Sequence, residues 1–406
     1  MKIDDRKTKT VLAFIVLMGI VSMFSDMTHE GSASIIGAYL SLAGASAAAI
    51  GFVTGLGGLI GYSLRIITGM LADRTKNYWL ITIIGYIIDC IAIPLLALVP
   101  EDGWIWACGL IVVQRIGKAV KKPAKDTLLS FAASQYGAGK SFAIQELLDQ
   151  IGAFTGPMIL FGVLWLKQGN DLFSSYKLCL AILGIPAMIT IALLFYAKRK
   201  FPNPDQFEPP TKTQGQAVGR NHSFIYYMIG ISLFAFGFLG FPLITMHAMK
   251  SGFCSETALP LLYAVAMLVD AFAALLFGWL YDRFGLNILM LSTLIAAPFA
   301  WLIFAAANPL GLWLGVILWG IGMGAQESIL KAAVVTIIPK EKRSTGYGIF
   351  QTGFGIAFFF GSWAAGALYS VSMPWMIALS CGMQIAAIPF FHLAARVCKK
   401  EGMKSC

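Results

Sequence analysis

The chain has 406 residues, 58% of them hydrophobic and only 12% charged, with a mean hydropathy of +0.76, whereas soluble domains carry roughly 25% charged residues. That composition excludes a sizeable soluble domain and predicts an all-α integral membrane protein. The formal net charge of +10 is spread over short connections and forms no single patch with interleaved aromatics, so nucleic acid is not an expected partner.

Apolar stretches of spanning length, about 20 residues for a hydrocarbon core of about 30 Å, recur along the whole chain. Cuts at charges, prolines and glycines predict twelve transmembrane helices at about 10–40, 44–72, 77–99, 104–130, 138–167, 174–198, 222–248, 256–281, 286–307, 309–337, 343–370 and 373–397. The first follows the basic start MKIDDRKTKT and has no small-residue cleavage pattern, so it reads as a retained span. Alternate connections are basic: the N-terminus, Arg74 with Lys76, then Lys121, Lys122, Lys125 and Lys140, then Lys198 to Lys200, then Lys340, Lys342 and Arg343, then the tail. By the positive-inside rule these lie in the cytoplasm, which predicts an inner-membrane protein with both termini cytoplasmic. The midway connection KRKFPNPDQFEPPTKTQGQAVGR is rich in Pro and Gln and reads as a linker. The expected division is 1–200, a linker at 201–220, and 221–406. Seven scattered cysteines without C-x-x-C spacing read as core thiols.

Charge sits where it costs most. Asp26, His29 and Glu30 interrupt the first span, and Arg65, Asp89, Arg115, Lys118, Glu146, Asp149, Asp270 and Glu327 fall within others. Each ionised group costs about 2.5–3.5 kcal/mol at the centre of an inserted helix, so such residues usually face a cavity or one another. Asp26 and Glu30 are four apart and share a face; Glu146 with Asp149, and Arg115 with Lys118, are three apart. A salt-bridged cluster of these acids against helix four is the expectation. It either fixes helix packing alone or couples protons, because burial favours a protonated carboxylate and a neighbouring guanidinium favours the ionised one. In the coupling reading Asp26, Glu30, Glu146 and Asp149 carry protons and Arg115 is the switching counter-charge. In the second half Phe234, Phe238, Phe241 and Trp319, with Gln326 and Glu327, suggest an apolar cavity wall.

Two internal correspondences stand about half a chain apart. GMLADR contains Gly69, Asp73 and Arg74, and GWLYDR contains Gly278, Asp282 and Arg283; IGKAVKKPAK at 116–125 pairs with IGMGAQESIL at 321–330. Two parallel, pseudo-symmetric six-helix halves explain both. With this repeat, VVQRIGKA on helix four and GAFTGP at 152–157 on helix five, the chain resembles the major facilitator superfamily along essentially its whole length. The stretch SDMTHEGSASIIGAYLSLAGASAAAIG and the run G-K-x-x-x-x-P-x-x-D are similar to one prokaryotic branch of it.

The resemblance implies the twelve-helix fold and alternating-access transport. It implies that Gly69, Asp73, Arg74, Gly278, Asp282 and Arg283 form a conformational latch, although Thr75, Lys76 and Asn77 depart from the family's loop. It also implies that Arg115 faces the transport path and that Gly152, Gly156 and Pro157 form a helix-five hinge associated with proton-driven export. Proton-coupled export of a small organic solute is the first expectation. The alternative is proton-coupled uptake of an anionic metabolite or metal chelate held by Arg65, Arg115 and Lys118. A metal-ion carrier using Asp26, His29, Glu30 and His247 is a third possibility. An enzyme is the contrasting class: GAGKS at 137–141 has Ser134 where a P-loop needs its first glycine, and no H-E-x-x-H or G-x-S-x-G occurs. No cofactor or resident metal is expected; the partners are solute, protons and membrane lipids, and the chain is expected to act as a monomer.

Overall fold

The computed structural model describes residues 5–136, 138–167, 169, 171–207, 222–306, 308–325 and 343–400. Among them the secondary structure is helical, without strands. The helices are α1 (Asp5–Leu42), α2 (Ala47–Thr75), α3 (Tyr78–Leu95), α4 (Trp104–Tyr136), α5 (Ala138–Leu166), α6 (Leu172–Ile182), α7 (Gly184–Lys200) and α8 (His222–Gly237). There follow α9 (Phe241–Ser251), α10 (Leu259–Phe284), α11 (Asn287–Ala296), α12 (Phe299–Phe304), α13 (Pro309–Ala325), α14 (Arg343–Val371) and α15 (Met373–Lys400). Three expected spans are interrupted: 174–198 between α6 and α7, 222–248 between α8 and α9, and 286–307 between α11 and α12. The other expected spans fall on described helices, the expected span 309–337 being described only as far as Ala325.

Among the described residues ten stretches are long and apolar enough to cross a membrane, and α13 is a shorter apolar helix. α4 falls outside this set because Arg115, Lys118, Lys121, Lys122, Lys125 and Asp126 crowd its second half. Leu275, Met188 and Trp375 are exposed at 75%, 73% and 70%. Such side chains suit contact with hydrocarbon, and helices alone satisfy their own backbone there.

Packing divides the chain into two compact units, Met1–Ile35 with Ile60–Lys212, and Ile36–Leu59 with Thr213–Cys406. The core of the first gathers Phe14, Ile15 and Met18 of α1, Trp79, Ile83 and Tyr86 of α3, Leu128 and Leu129 of α4, and Leu194 of α7. Trp79 donates its indole N–H to the Phe201 carbonyl at 3.1 Å, tying the end of α7 to α3.

The second unit packs around aromatic rings. Phe238 stacks on Phe234 and Trp319, and Trp319 meets Phe241 edge-on. The break between α8 and α9 lies in this stack. Its freed carbonyls are satisfied from neighbouring helices: Gly237 O accepts from Ser380 Oγ at 2.6 Å and Gln384 Nε2 at 3.3 Å, and Leu239 O from Trp319 Nε1 at 2.9 Å. Buried backbone groups need such partners. The segment Ile36–Leu59 packs tightly into this unit, with Gly37 against the Pro242 backbone and Gly51 and Gly55 against the backbone of α14. Cys90, Cys108, Cys179, Cys254 and Cys381 are free thiols, whereas Cys398 is disulfide-bonded, so the core-thiol reading fails there.

Candidate functional site

The densest polar constellation lies inside the first unit, between α1, α3 and α4. Its position follows from two glycines. Gly85 of α3 lies against the backbone of Lys121, and Gly117 of α4 against the backbone of Asp89, so a Cβ at either would collide with main chain. The contacts are reciprocal in antiparallel helices, and they draw Asp89 and Lys121 into one plane. Small residues at helix contacts permit this approach.

Asp89 is fully buried, and its Oδ2 receives Lys121 Nζ and, at 2.6 Å, His29 Nε2. Its Oδ1 accepts from Gln114 Nε2 at 2.9 Å. The same amide nitrogen lies 2.9 Å from His29 Nδ1. Both contacts fit the Gln114 amide as donor, which makes His29 Nδ1 an acceptor and leaves its proton on Nε2, directed at Asp89. Lys121 also donates to Ser25 Oγ at 2.7 Å and lies 4.0 Å from the centre of the Tyr86 ring. One turn on, Lys125 donates to Ser22 Oγ at 2.7 Å. Both lysines are 5% exposed.

This corrects the sequence reading in two respects. Lys121 and Lys125 were assigned to a basic loop; they stand in α4 and point into the unit. His29, offered there as a metal ligand, is buried with both ring nitrogens engaged by protein groups. Sequence reasoning missed Gln114, Lys121, Lys125, Ser22, Ser25 and Tyr86 as members of the centre. A signal was present: Gln114, Lys118, Lys121 and Lys125 recur at four, three and four residues, as do Ser22, Ser25 and His29 at three and four, which are helical stripes.

Around this centre the expected salt-bridged cluster is narrower than its sequence version. Glu30 faces Lys118 at 3.9 Å, both side chains partly exposed. Asp26, one turn before Glu30, is half-buried. Asp149 accepts from Gln145 Nε2 at 2.8 Å. Glu146 is exposed and receives Gln150, so it stands apart from the others. Arg115 was expected to pair with these acids, yet it makes no ion pair among the described residues, and its Nε is buried without a partner. The same holds for Arg65, whose guanidinium lies 5.2 Å from the Tyr62 ring.

Gly152 and Gly156 seat α5 directly on the α1 backbone at Met23 and Met27, and Pro157 follows inside α5. Gly69 faces Pro123, Asp73 accepts from Tyr78 at 3.5 Å, and Arg74 is exposed. In the second unit Gly278 lies within α10, and Arg283 near its end reaches over Phe284. Asp270 is buried, with the α13 backbone at Gly324 close to its own. Phe238 and Trp319 are 2% and 4% exposed, the latter with its N–H used, so both are packed in the core of their unit. Gln326, Glu327 and the side chain of Asp282 lie outside the described residues.

The model of the Major Facilitator Superfamily matches residues 227–401. An uncharacterized protein of Mycobacterium tuberculosis is 34% identical over 92% of this chain and 91% of its own length. This chain belongs to the major facilitator superfamily. A more distant relative within it, an uncharacterized MFS-type transporter of Methanocaldococcus jannaschii, is 23% identical over 88% of this chain and 89% of its own. The fold matches the crystal structure of a bacterial homolog of the human lysosomal transporter Spinster, with a TM-score of 0.67 at 17% identity over 97% of each chain. The superfamily's twelve-helix fold is therefore that of this chain, and the class of activity is secondary transport of a solute across a membrane.

Proposed function

We propose that the chain is a proton-coupled secondary transporter that moves a small organic solute by alternating access, with Asp26 and Glu30 as the proton-carrying groups. The observation that supports this most is the pairing of Glu30 with Lys118 at 3.9 Å, both partly accessible, in front of the fully buried Asp89–Lys121–His29–Gln114 centre. The buried centre has its lone pairs and protons assigned within the protein, which suits a fixed support. Glu30 and Asp26 have access and a long, adjustable ion pair, which suits exchange with solvent. Lys118 takes the counter-charge role that the sequence gave to Arg115. Asp149 lies on the α5 turn preceding the Gly152 contact with α1 and modulates the pair from there.

The sign of coupling depends on the solute's charge. A cation competes with the proton for the acids, giving antiport; an anion binds better once they are neutral, giving symport. The seam at Gly152, Gly156 and Pro157 ties α5 to the helix that bears Asp26, so either sign of coupling is carried between these two helices. We place the protein in the cytoplasmic membrane as a monomer with both termini inside.

The test is counterflow and pH-driven flux in proteoliposomes across solute classes, with Asp26→Asn, Glu30→Gln and Asp149→Asn. Asp26→Asn and Glu30→Gln are expected to abolish pH-driven accumulation while leaving solute exchange, and Asp149→Asn to weaken it. Normal pH-driven flux in all three would remove the proton assignment.

A further inference from the structure

α2 and α4 run side by side in the same direction. Thr68 Oγ1 donates to the Ala119 carbonyl at 3.0 Å, Gly69 lies against Pro123, and Ala72 and Ala124 share a small apolar cluster. Helical periodicity places Arg65 three and four residues before Thr68 and Gly69, and Arg115 four residues before Ala119. Both therefore stand on the facing sides, one turn beyond the contact. At about 1.5 Å per residue, their levels differ by about 1.5 Å counted from the Thr68–Ala119 contact and about 6 Å counted from the Gly69–Pro123 contact, about one helical turn at most.

Both arginines have a buried Nε without a hydrogen-bond partner, and neither makes an ion pair among the described residues. Lys118, on the next turn of α4, has Glu30 at 3.9 Å. Lys118 has Glu30 and, one turn away on α1, Asp26 within electrostatic reach, whereas no carboxylate pairs with either arginine among the described residues. Two guanidiniums within about one turn of each other on touching helices repel, and cations within a membrane ordinarily find an anion. Both residues keep partial exposure, so an anion has access. A guanidinium offers a rigid fork of N–H donors that fits a carboxylate or phosphate group with two bonds.

From this juxtaposition we infer that Arg65 and Arg115 form the recognition site for an anionic group, a carboxylate or phosphate carried by the transported solute. As a statement about cargo, this rests on the transporter reading above. Protonation of Glu30 removes one of the acids that oppose Lys118 and raises the positive charge beside the two guanidiniums, so proton and anion bind together. Net movement is symport, driven into vesicles by an acidic exterior.

The experiment is thermal melting of the purified full chain in nonionic detergent with succinate or inorganic phosphate, against chloride at matched ionic strength. Saturable stabilisation is expected with at least one of the two anions. Arg65→Gln and Arg115→Gln should each raise the half-saturating concentration at least tenfold, and the exposed control Lys198→Gln should leave it unchanged. Arg115→Lys, which keeps the charge and loses the fork, serves if the glutamine variant does not fold, and is expected to weaken binding severalfold.

Stabilisation that survives both arginine substitutions overturns the proposal, as does its absence with both anions. Stabilisation seen only in phosphatidylglycerol nanodiscs, not with soluble anions, assigns the arginines to a lipid headgroup and also overturns it. The two readings fail separately. Anion binding that needs the arginines, with flux indifferent to pH and to Glu30→Gln, removes proton coupling and leaves the anion site. Proton-driven flux of a neutral or cationic solute without anion binding does the reverse.

Discussion

The first unit buries an ion pair, an imidazole and two lysines between its helices, whereas the second, at the break between α8 and α9, buries stacked rings and backbone carbonyls. Both solve the same problem, polar groups in a medium without water, and they solve it at different cost. In the second unit each carbonyl meets a neutral donor, and loss of one bond forfeits roughly 1 kcal/mol. In the first, loss of one partner strands a full charge. The charged centre is accordingly the more fragile of the two.

Three substitutions sharpen this contrast. Asp89→Ala leaves Lys121 buried and unpaired and is expected to destabilise by about 3–5 kcal/mol, read as a lowered thermal midpoint in detergent. Asp89→Leu combined with Lys121→Met should recover most of that loss; a double variant as weak as the single one would show that stranded charge is not the cause. Gly117→Ala forces α3 and α4 apart at the Asp89 backbone and is expected to cost about 1–3 kcal/mol. It should also make Lys121 reactive to an amine-modifying reagent from which it is protected in the parent. In the second unit, Trp319→Phe keeps the ring stack and removes only the donor to Leu239 O, an expected loss of about 1 kcal/mol. pH-driven flux should be unchanged by it; a coupling defect of the size expected for Glu30→Gln would erase the division of labour between the units.

Hydropathy made most of the fold legible, because a helix that crosses a bilayer needs a long apolar run whatever its neighbours are. The break at Phe238 to Gly240 was not legible, since it depends on donors supplied by distant helices, as Ser380 and Trp319 supply them around Gly237, whereas at Leu183 and near Pro298 the backbone bonds stay local. The candidate site was legible in part. Glu30 and Lys118 were singled out for the right reason, charge within a span. Lys121 and Lys125 were misplaced because a run of lysines near a helix end resembles a loop, and local sequence does not say whether the helix continues. His29 was undervalued because its partners, Asp89 and Gln114, lie 60 and 85 residues away.

The sequence by itself determined the medium, the number of crossing stretches, the family resemblance and the fact that charge is enclosed. These are properties of composition and period, summed locally along the chain. Only the tertiary structure decided which charges are paired and which have no ion-pair partner among the described residues. Asp89 is paired because Gly85 and Gly117 let two backbones touch, and Arg65 and Arg115 stand within about one turn of each other because Thr68 and Gly69 set the register of α2 on α4. Pairing depends on distances of a few ångströms between residues far apart in the chain, and those distances exist only after the helices have packed.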